Sequence, residues 1–180
     1  MKIILASKSL RRIELLKKIT DDFVVSPPDI DEDICKSPFV LPLALSLLKA
    51  ENVLKKEHGL IVAADTIVSL DDKIFGKPKS YEDAVKTLKM LNNRTHVVIT
   101  GVCVAHNSIR LLTLEKTFVK FNKLTLKQIE EYIEAFKPYD KAGSYGIQDN
   151  FPLVRSVQGD YDNVVGLPVN SVRRILNELQ

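Results

Sequence analysis

Apolar residues along this chain follow two spacings, which predict strands and helices in alternation. Nearly continuous apolar runs at 3–6 and 60–70 predict buried strands, the second of them buried on both faces. Apolar residues three or four positions apart predict helices, including one over 42–57 and one over 81–91. The alternation continues to a last helix over 168–179 and indicates an α/β fold with a mixed, twisted sheet flanked by helices.

Shorter segments complete the predicted sheet. Further strands are expected at 23–26, 73–75, 95–105 and 109–121, and the segments 151–157 and 161–165 flank a turn at 158–160. The chain contains no low-complexity linker and no internal repeat. We therefore expect one domain over residues 1–180, large enough for a continuous core and with room for two lobes.

Three predicted helices begin at residues whose side chains can cap a helix N-terminus. Ser9 precedes the first helix, while Ser80 with Asp83 and Thr125 with Gln128 match the capping-box spacing. Pro138 ends the helix that Thr125 begins. We expect the apolar row of that helix to face the core, namely Leu126, Ile129, Ile133 and Phe136.

Two arginines in the first turn of the first helix break a local electrostatic rule. Arg11 and Arg12 follow Ser9 closely, and their charges oppose the helix macrodipole at a cost of about 0.3–1 kcal/mol each when exposed. A rule broken without visible compensation is typical of a functional site. We therefore predict a bound anion, most simply a phosphate held by helix N–H groups, Ser7 and the two arginines.

Composition excludes several classes of partner. The 26 basic and 23 acidic residues give a net charge of +3, and the basic residues are scattered, which argues against nucleic acid. Cys35 and Cys103 are isolated, so neither a disulfide framework nor a zinc site is indicated. No secretory apolar region follows Met1, and no run approaches the roughly 18 apolar residues of a membrane span. We expect a cytoplasmic protein without a membrane partner, and base rates alone leave a homodimer open.

A carboxylate interrupts the most apolar predicted strand. Asp65 stands between the apolar segments 60–64 and 67–68. Burial of a lone carboxylate is unfavourable unless it is paired or bound to a metal. One interpretation is an Asx turn or a bulge to which Thr66 contributes. The other is a functional carboxylate that activates an attacking water beside the predicted phosphate.

Two lysines and an acidic loop are candidates for the same site. Lys49 lies where the helical spacing predicts an apolar residue, so it either snorkels or reaches a polyphosphate. Lys77, in Gly76-Lys77-Pro78, belongs either to a simple proline turn or to the phosphate site. A loop near residue 30 is either solvated or supplies oxygen ligands for Mg²⁺, from Asp29, Asp31, Glu32 and Asp33.

A glycine-bracketed loop at 142–148, Ala-Gly-Ser-Tyr-Gly-Ile-Gln, carries groups suited to a nucleobase. Its aromatic ring can stack on a base and its amide can hydrogen-bond the base edge; a tight turn with a core tyrosine is the alternative. The chain has neither a nucleophile elbow nor a P-loop nor a Gly-x-Gly-x-x-Gly motif. The histidines lack a metal-binding spacing and are expected to be structural or exposed: His58, His96 and His106. Taken together, the candidate residues predict a site that binds a polyphosphate with the help of a metal ion.

The chain resembles the Maf family of nucleoside triphosphate pyrophosphatases over nearly its whole length. The first matching motif is Ala6-Ser7-Lys8-Ser9-Leu10-Arg11-Arg12, in which Leu10 replaces the usual proline, a change that the first helical position tolerates. The other motifs follow in the family's order: Asp31-Glu32, Lys49, Ala64-Asp65-Thr66, Gly76-Lys77-Pro78, Thr100-Gly101-Val102, the run 141–148, and Val165-Gly166-Leu167-Pro168. The resemblance implies a Maf/ITPase-like fold with the active-site cleft between two lobes.

The resemblance also implies an activity: hydrolysis of a nucleoside triphosphate between the α and β phosphates, with Mg²⁺ or Mn²⁺ as cofactor. It makes Asp65 the proton acceptor and, with Glu32, a metal ligand. It assigns four residues to the substrate phosphates, namely Ser7, Arg12, Lys49 and Lys77. It ties base selection to Arg11, Thr66 and Gln148, and these match the branch acting on dTTP and UTP, not the branch acting on 7-methyl-GTP.

Two alternatives stay open at this point. One is a Maf-like pyrophosphatase with a different base preference. The other is a nucleotide-binding regulator of cell division without significant turnover. If the protein acts on dTTP and UTP, the physiological role implied by the resemblance is the removal of non-standard pyrimidine nucleotides.

Overall fold

The computed structural model describes residues 1–32, 34 and 37–179. Its strands are β1 (Ile3–Leu5), β2 (Phe23–Val25), β3 (Leu60–Leu70), β4 (Lys73–Phe75), β5 (Thr95–His106), β6 (Ile109–Phe121) and β7 (Val154–Gln158). Its helices are α1 (Leu10–Lys17), α2 (Leu41–Leu54), α3 (Tyr81–Leu91), α4 (Leu126–Phe136), α5 (Tyr161–Val165) and α6 (Val169–Glu178). A short 3₁₀ turn covers Ala142–Ser144.

The strands form one mixed sheet, which confirms the predicted fold class. Its order is β2-β1-β3-β5-β6-β7, and β4 lies beside β3. β1 runs parallel to both β2 and β3, whereas the β3–β4, β3–β5, β5–β6 and β6–β7 pairs are antiparallel. No helix in the described part of the chain is long and apolar enough to cross a membrane.

β3 connects the two halves of the molecule. On one side it pairs with β5 from Ile61 to Ser69. On its other side β1 pairs with residues 60–62 and β4 with residues 68–70. Within the described residues, no strand pairs with the middle of β3, 63–67, on that second side. The sheet is therefore open at this edge, and Asp65 lies in the opening.

Three apolar clusters build two lobes on either side of this opening. The first lobe has two clusters, one on each face of its sheet. The cluster under α1 and α6 includes Leu5, Leu16, Val62 and Val172. The cluster under α2 includes Ala50, Val53, Ile61 and Cys103. The second lobe has its own cluster, which includes Val68, Leu88, Phe121, Ile129 and Tyr132. Each lobe thus buries apolar surface independently of the groups in the opening.

The predicted helix N-terminal caps are confirmed only in part. Ser9 does precede α1, but its side chain makes no capping bond. Ser80 accepts the N–H of Asp83, whereas the capping box at Thr125 and Gln128 is complete. In α4 the expected inward position of Leu126 is wrong: 48% of that residue is exposed.

The segment 161–165 is a helix, α5, and not a partner for 151–157 across a turn. The carboxylate of Asp160 accepts the N–H of Asp162 and so caps a helix start. This local bond favours the helix over a strand with the same apolar residues. The strand before the turn is also shorter than expected and begins at Val154.

Gly101 lets α2 approach the sheet closely. A Cβ at this position would lie 2.3 Å from the carbonyl carbon and oxygen of Pro42 and 2.5 Å from the nitrogen of Leu43. Because Gly101 also pairs with Asp65, the same close approach sets the distance between α2 and the opening.

Gly101→Ala should therefore push α2 from the sheet and lower the free energy of unfolding by about 1–3 kcal/mol, the usual effect of overpacking. Chemical denaturation measures the change. Gly76→Ala is the matched control, because a Cβ there meets nothing within 4 Å. Equal stability of the two variants would show that α2 tolerates the displacement.

Candidate active site

A cleft of about 360 Å³ lies at the unpaired edge of β3, between the two lobes. Of the residues that the family resemblance assigns to the site, all but Ser7 line this cleft: Arg11, Arg12, Glu32, Lys49, Asp65, Thr66, Lys77 and Gln148. Of the other acidic-loop candidates, Asp29 and Asp31 do not line it, and Asp33 lies outside the described residues. The first lobe contributes the start of α1 and one face of α2. The second contributes Gly76, Lys77 and residues 140–142 and 145–148.

Lys49 joins the two predicted metal-ligand carboxylates. Its Nζ lies 2.5 Å from Oδ1 of Asp65 and 2.8 Å from Oε1 of Glu32. Only 8% of the Lys49 side chain and 12% of that of Asp65 is exposed, against 53% for Glu32. Lys49 therefore does not snorkel to solvent. Its position in the buried row of α2 aims the ammonium group at the open edge of the sheet.

Asp65 lies within a regular strand. It pairs with Gly101 in an unbroken β3–β5 ladder, so neither an Asx turn nor a bulge accounts for it. Its burial is compensated by the ion pair with Lys49. The backbone of β3 thus holds this carboxylate rigidly, with one oxygen on the ammonium group.

Cations around Glu32 dominate its ionisation. Partial burial by itself would raise its pKa, but the hydrogen bond and charge of Lys49, with the charges of Lys77 and Arg12, outweigh burial. The pKa of Glu32 therefore lies below its ordinary value, and the side chain is a carboxylate at neutral pH.

Arg12 is a partly buried cation whose hydrogen bonds go to neutral oxygens. Its Nε donates to the carbonyl oxygen of Gly166 at 2.8 Å, and its Nη2 donates to Oγ1 of Thr66 at 3.1 Å. Burial lowers the pKa of Arg12, although the charge of Asp65 opposes that shift. An anionic ligand beside this guanidinium would supply the missing compensation.

A chain of hydroxyl groups supports Arg12. Oγ1 of Thr66 lies 3.0 Å from Oγ1 of Thr100, which donates to the carbonyl oxygen of Asn163 at 3.1 Å. Thr100 is fully buried. Thr66, which the resemblance ties to base selection, thus contacts Arg12 directly. Thr100 belongs to one of the family motifs, whereas no pattern along the chain singled out Asn163, whose carbonyl oxygen completes this chain of hydrogen bonds.

Arg11 points to another part of the cleft. Its Nη1 donates to Oδ2 of Asp140 at 2.5 Å, and its Nη2 donates to the Asp140 carbonyl oxygen at 3.2 Å. Lys141 contacts the same carboxylate at 3.1 Å. Partial burial would raise the pKa of Asp140, but the hydrogen bonds from Arg11 and Lys141 outweigh it and lower that pKa. Sequence reasoning had not selected Asp140, because its partner is 129 residues away.

The remaining predicted residues differ in exposure. Ser7 is buried, and its Oγ accepts the N–H of Ser9, so it buttresses the start of α1 from behind the cleft. Lys77 and Gln148 are exposed on the side of the second lobe. Among the described charged residues that line the cleft, five are cationic and three anionic, a net charge of +2.

The aromatic residue of the 142–148 loop belongs to the core. Tyr145 is only 5% exposed, packs edge-on against Phe121, and places its hydroxyl 2.8 Å from Nε2 of His96. Burial lowers the pKa of His96 to about 4, so this histidine is neutral at physiological pH. Tyr145 is therefore a core tyrosine. The prediction that its ring stacks on a nucleobase is wrong, because the ring is not exposed.

The carboxylates suit a metal that arrives with a phosphate ligand. Oxygens of Asp65 and Glu32 converge on one cationic group, the Lys49 ammonium, so they face a common point that favours positive charge. The described residues contain no cluster of three His, Cys, Asp or Glu that could hold a metal alone. Mg²⁺ is commonly held by one or two carboxylates, with substrate phosphates and water completing its shell. The donor set fits that pattern.

The fold and the cleft together define an α/β protein whose two lobes enclose a cleft with paired carboxylates and an excess of cationic side chains. A family model for Maf-like proteins matches residues 2–179, and the chain belongs to the Maf family. This bears out the resemblance given by the motifs.

Individual relatives align with nearly the full length of this chain. The dTTP/UTP pyrophosphatase of Thermosipho africanus is 52% identical over 178 residues, covering 98% of this chain and 92% of that protein. The proteins of the same name from Carboxydothermus hydrogenoformans and Thermotoga maritima are 46% and 42% identical, each aligned with 99% of this chain and with 98% and 89% of their own lengths. Among solved structures, the Staphylococcus aureus Ham1 protein matches with a TM-score of 0.61 and 14% identity over all of both chains, which supports the ITPase-like fold alone.

Proposed function

We propose that this protein hydrolyses dTTP and UTP between the α and β phosphates, giving the nucleoside monophosphate and pyrophosphate. The full-length relatives that carry the name dTTP/UTP pyrophosphatase support this activity. We further propose that it acts in the cytoplasm and removes non-standard pyrimidine nucleotides.

The observation that carries the proposal is the environment of Arg12. This partly buried guanidinium donates to two uncharged oxygens and stands in a cleft whose described side chains sum to a positive charge. A triphosphate brings the negative charge that such a site lacks. Arg12, Lys49 and Lys77 would then stabilise charge on the departing pyrophosphate.

Asp65 is the proposed general base. Its Oδ1 binds the Lys49 ammonium, which leaves Oδ2 to orient a water molecule and take its proton. The water oxygen bonds to the α-phosphorus as the bond from that phosphorus to the bridging oxygen breaks. The electron pair of that bond leaves with pyrophosphate. Glu32 and Asp65 would hold a divalent metal, Mg²⁺ or Mn²⁺, which when bound neutralises phosphate charge.

Gln148, Arg11 and Thr66 are the proposed specificity residues. Thymine and uracil present a carbonyl oxygen beside a ring N–H, and the Gln148 amide can donate to the first and accept from the second. Thr66 would act through Arg12, which it contacts. Ser7 does not line the cleft and would act on the phosphates indirectly, by accepting the N–H of Ser9 just before α1.

An isotope experiment tests the reaction and its position. The enzyme is incubated with dTTP or UTP and Mg²⁺ in ¹⁸O-water, and the products are separated by anion exchange and weighed by mass spectrometry. We expect pyrophosphate without label and a monophosphate that carries one ¹⁸O atom. EDTA should abolish turnover. Nucleotide binding without turnover would instead support the regulator, and release of orthophosphate would contradict cleavage at the α-phosphorus.

A further inference from the structure

A single buried hydroxyl connects α4 to the turn that carries Gln148. The Tyr132 side chain is fully buried and stacks on Phe136, with ring centroids 5.1 Å apart. Its hydroxyl accepts the N–H of Gly146 at 2.9 Å and donates to Oδ2 of Asp149 at 2.6 Å. Tyr132 does not line the cleft; Gly146 and Gln148 do.

These bonds fix both ends of one tight turn. The N–H of Asp149 donates to the carbonyl oxygen of Gly146 at 3.2 Å, so residues 146–149 close a β-turn with Gln148 at its third position. The Asp149 carboxylate folds back over Gly146, and a Cβ on Gly146 would lie 2.7 Å from either carboxylate oxygen. The Tyr132 hydroxyl therefore binds the first residue of the turn through its backbone and the last through its side chain.

The direction of the Gln148 amide depends on this turn. Gln148 is exposed, and its side chain extends from the turn and not from the packed core. A long, exposed side chain has several rotamers available, so a shift of its backbone moves the amide further than packing can correct. Hydrogen-bond recognition of a base edge needs the amide within a few tenths of an ångström.

We propose that Tyr132 is a positioning residue for base selection, which acts through the Gly146–Asp149 turn on Gln148. The inference rests on the proposed function, in which the Gln148 amide recognises the carbonyl oxygen and the ring N–H of thymine and uracil. Cytosine presents an amino group and an unprotonated ring nitrogen at the same edge. An amide oriented to donate to a carbonyl and accept from a ring N–H therefore faces a donor with its own donor and an acceptor with its own acceptor. Tyr132 never touches the substrate; it removes freedom from the group that does.

Tyr132→Phe isolates the hydroxyl, because the ring and its contacts with Phe136 remain. We expect the ratio of kcat/KM for dTTP to that for dCTP to fall by about 10- to 100-fold. The loss should lie mainly in a raised KM for dTTP, because the phosphate site, Asp65 and Lys49 are unchanged. Asp149→Ala should have a similar effect. Asp149→Asn, which keeps an oxygen acceptor for the hydroxyl, should retain most of the selectivity.

Three controls separate a positioning role from general loosening. Tyr81→Phe removes a hydroxyl from a tyrosine packed against the same cluster but outside the cleft, and should leave selectivity unchanged. Gln148→Ala should lose the dTTP preference, and adding Tyr132→Phe to it should cause no further loss. Amide hydrogen exchange at Gly146 should be faster in Tyr132→Phe than in the wild type, whether or not nucleotide is present.

The outcomes assign a failure to one proposal or the other. If Gln148→Ala alone leaves selectivity intact, the assignment of Gln148 in the proposed function is wrong. If Gln148→Ala abolishes selectivity while Tyr132→Phe keeps the wild-type ratio, the positioning role of Tyr132 is wrong. A fall in kcat for all nucleotides alike, without a change in their ratio, would also overturn the positioning role and indicate a structural one.

Discussion

Replacement of Asp65 by Asn should reduce dTTP turnover by about 10²–10⁴-fold, the usual contribution of a general base. The amide retains the size and one oxygen of the carboxylate but cannot take a proton from water. The fold should persist, because Glu32 still contacts the Lys49 ammonium at 2.8 Å and the β3–β5 ladder is unchanged. Steady-state pyrophosphate release and thermal unfolding measure the two effects.

Asp72→Asn is the matched control for this variant. It makes the same change on an exposed carboxylate in the turn between β3 and β4, outside the cleft, and should leave activity unaltered. Near-wild-type turnover by Asp65→Asn would rule out the base assignment. The attacking water would then have to be activated by another group, such as Glu32.

Lys49→Met should have the second-largest effect and should change stability as well as activity. Without the ammonium group, the buried Asp65 loses its ion-pair partner, and breaking such a buried pair typically costs about 3–5 kcal/mol. Loss of one charge-stabilising donor should lower turnover by about 10²–10³-fold. Chemical denaturation and pyrophosphate release test the two parts separately. Lys55→Met, at the exposed end of the same helix, should change neither.

The stability difference between Lys49→Met and the wild type should depend on pH. The folded-state pKa of Glu32 is lowered by its cations. Its contribution is therefore fully present above the ordinary glutamate pKa and is lost as the pH falls through the folded value. The wild-type advantage should shrink on acidification, as a proton replaces Lys49 in neutralising Glu32. An advantage that stayed constant from neutral pH to below the folded pKa would mean that the ion pairs contribute little.

Most elements of the fold followed from apolar spacing, because their stabilising contacts are periodic along the chain. The long strand β3 was predicted over its full range, and Asp65 was conspicuous because it interrupted that range. The helix α5 was missed because a single local bond, from the N–H of Asp162 to the Asp160 side chain, decides it. Leu126 was misplaced because the first residue of a helix can turn outward while the row behind it stays buried.

The site was harder to predict than the fold. Arg11 and Arg12 are neighbours in sequence, and local physics treats them alike. On a helix, however, successive side chains point about 100° apart. One guanidinium meets Thr66 and Gly166, and the other meets Asp140. These partners come from distant parts of the chain, so no local pattern identifies them. The same holds for the Tyr132 hydroxyl, which accepts the N–H of Gly146.

The unbroken pairing of β3 with β5 limits how the cleft can open and close. Nine consecutive residues, from Ile61 to Ser69, pair with β5 across the region where the lobes meet. A large rotation of one lobe against the other would strain this ladder, which therefore resists hinge motion at the floor of the cleft. At the rim, by contrast, Arg11 contacts Asp140 through exposed hydrogen bonds, which can break without disturbing the sheet. We therefore expect the floor that holds Asp65 to keep its shape whether or not the rim contacts are made.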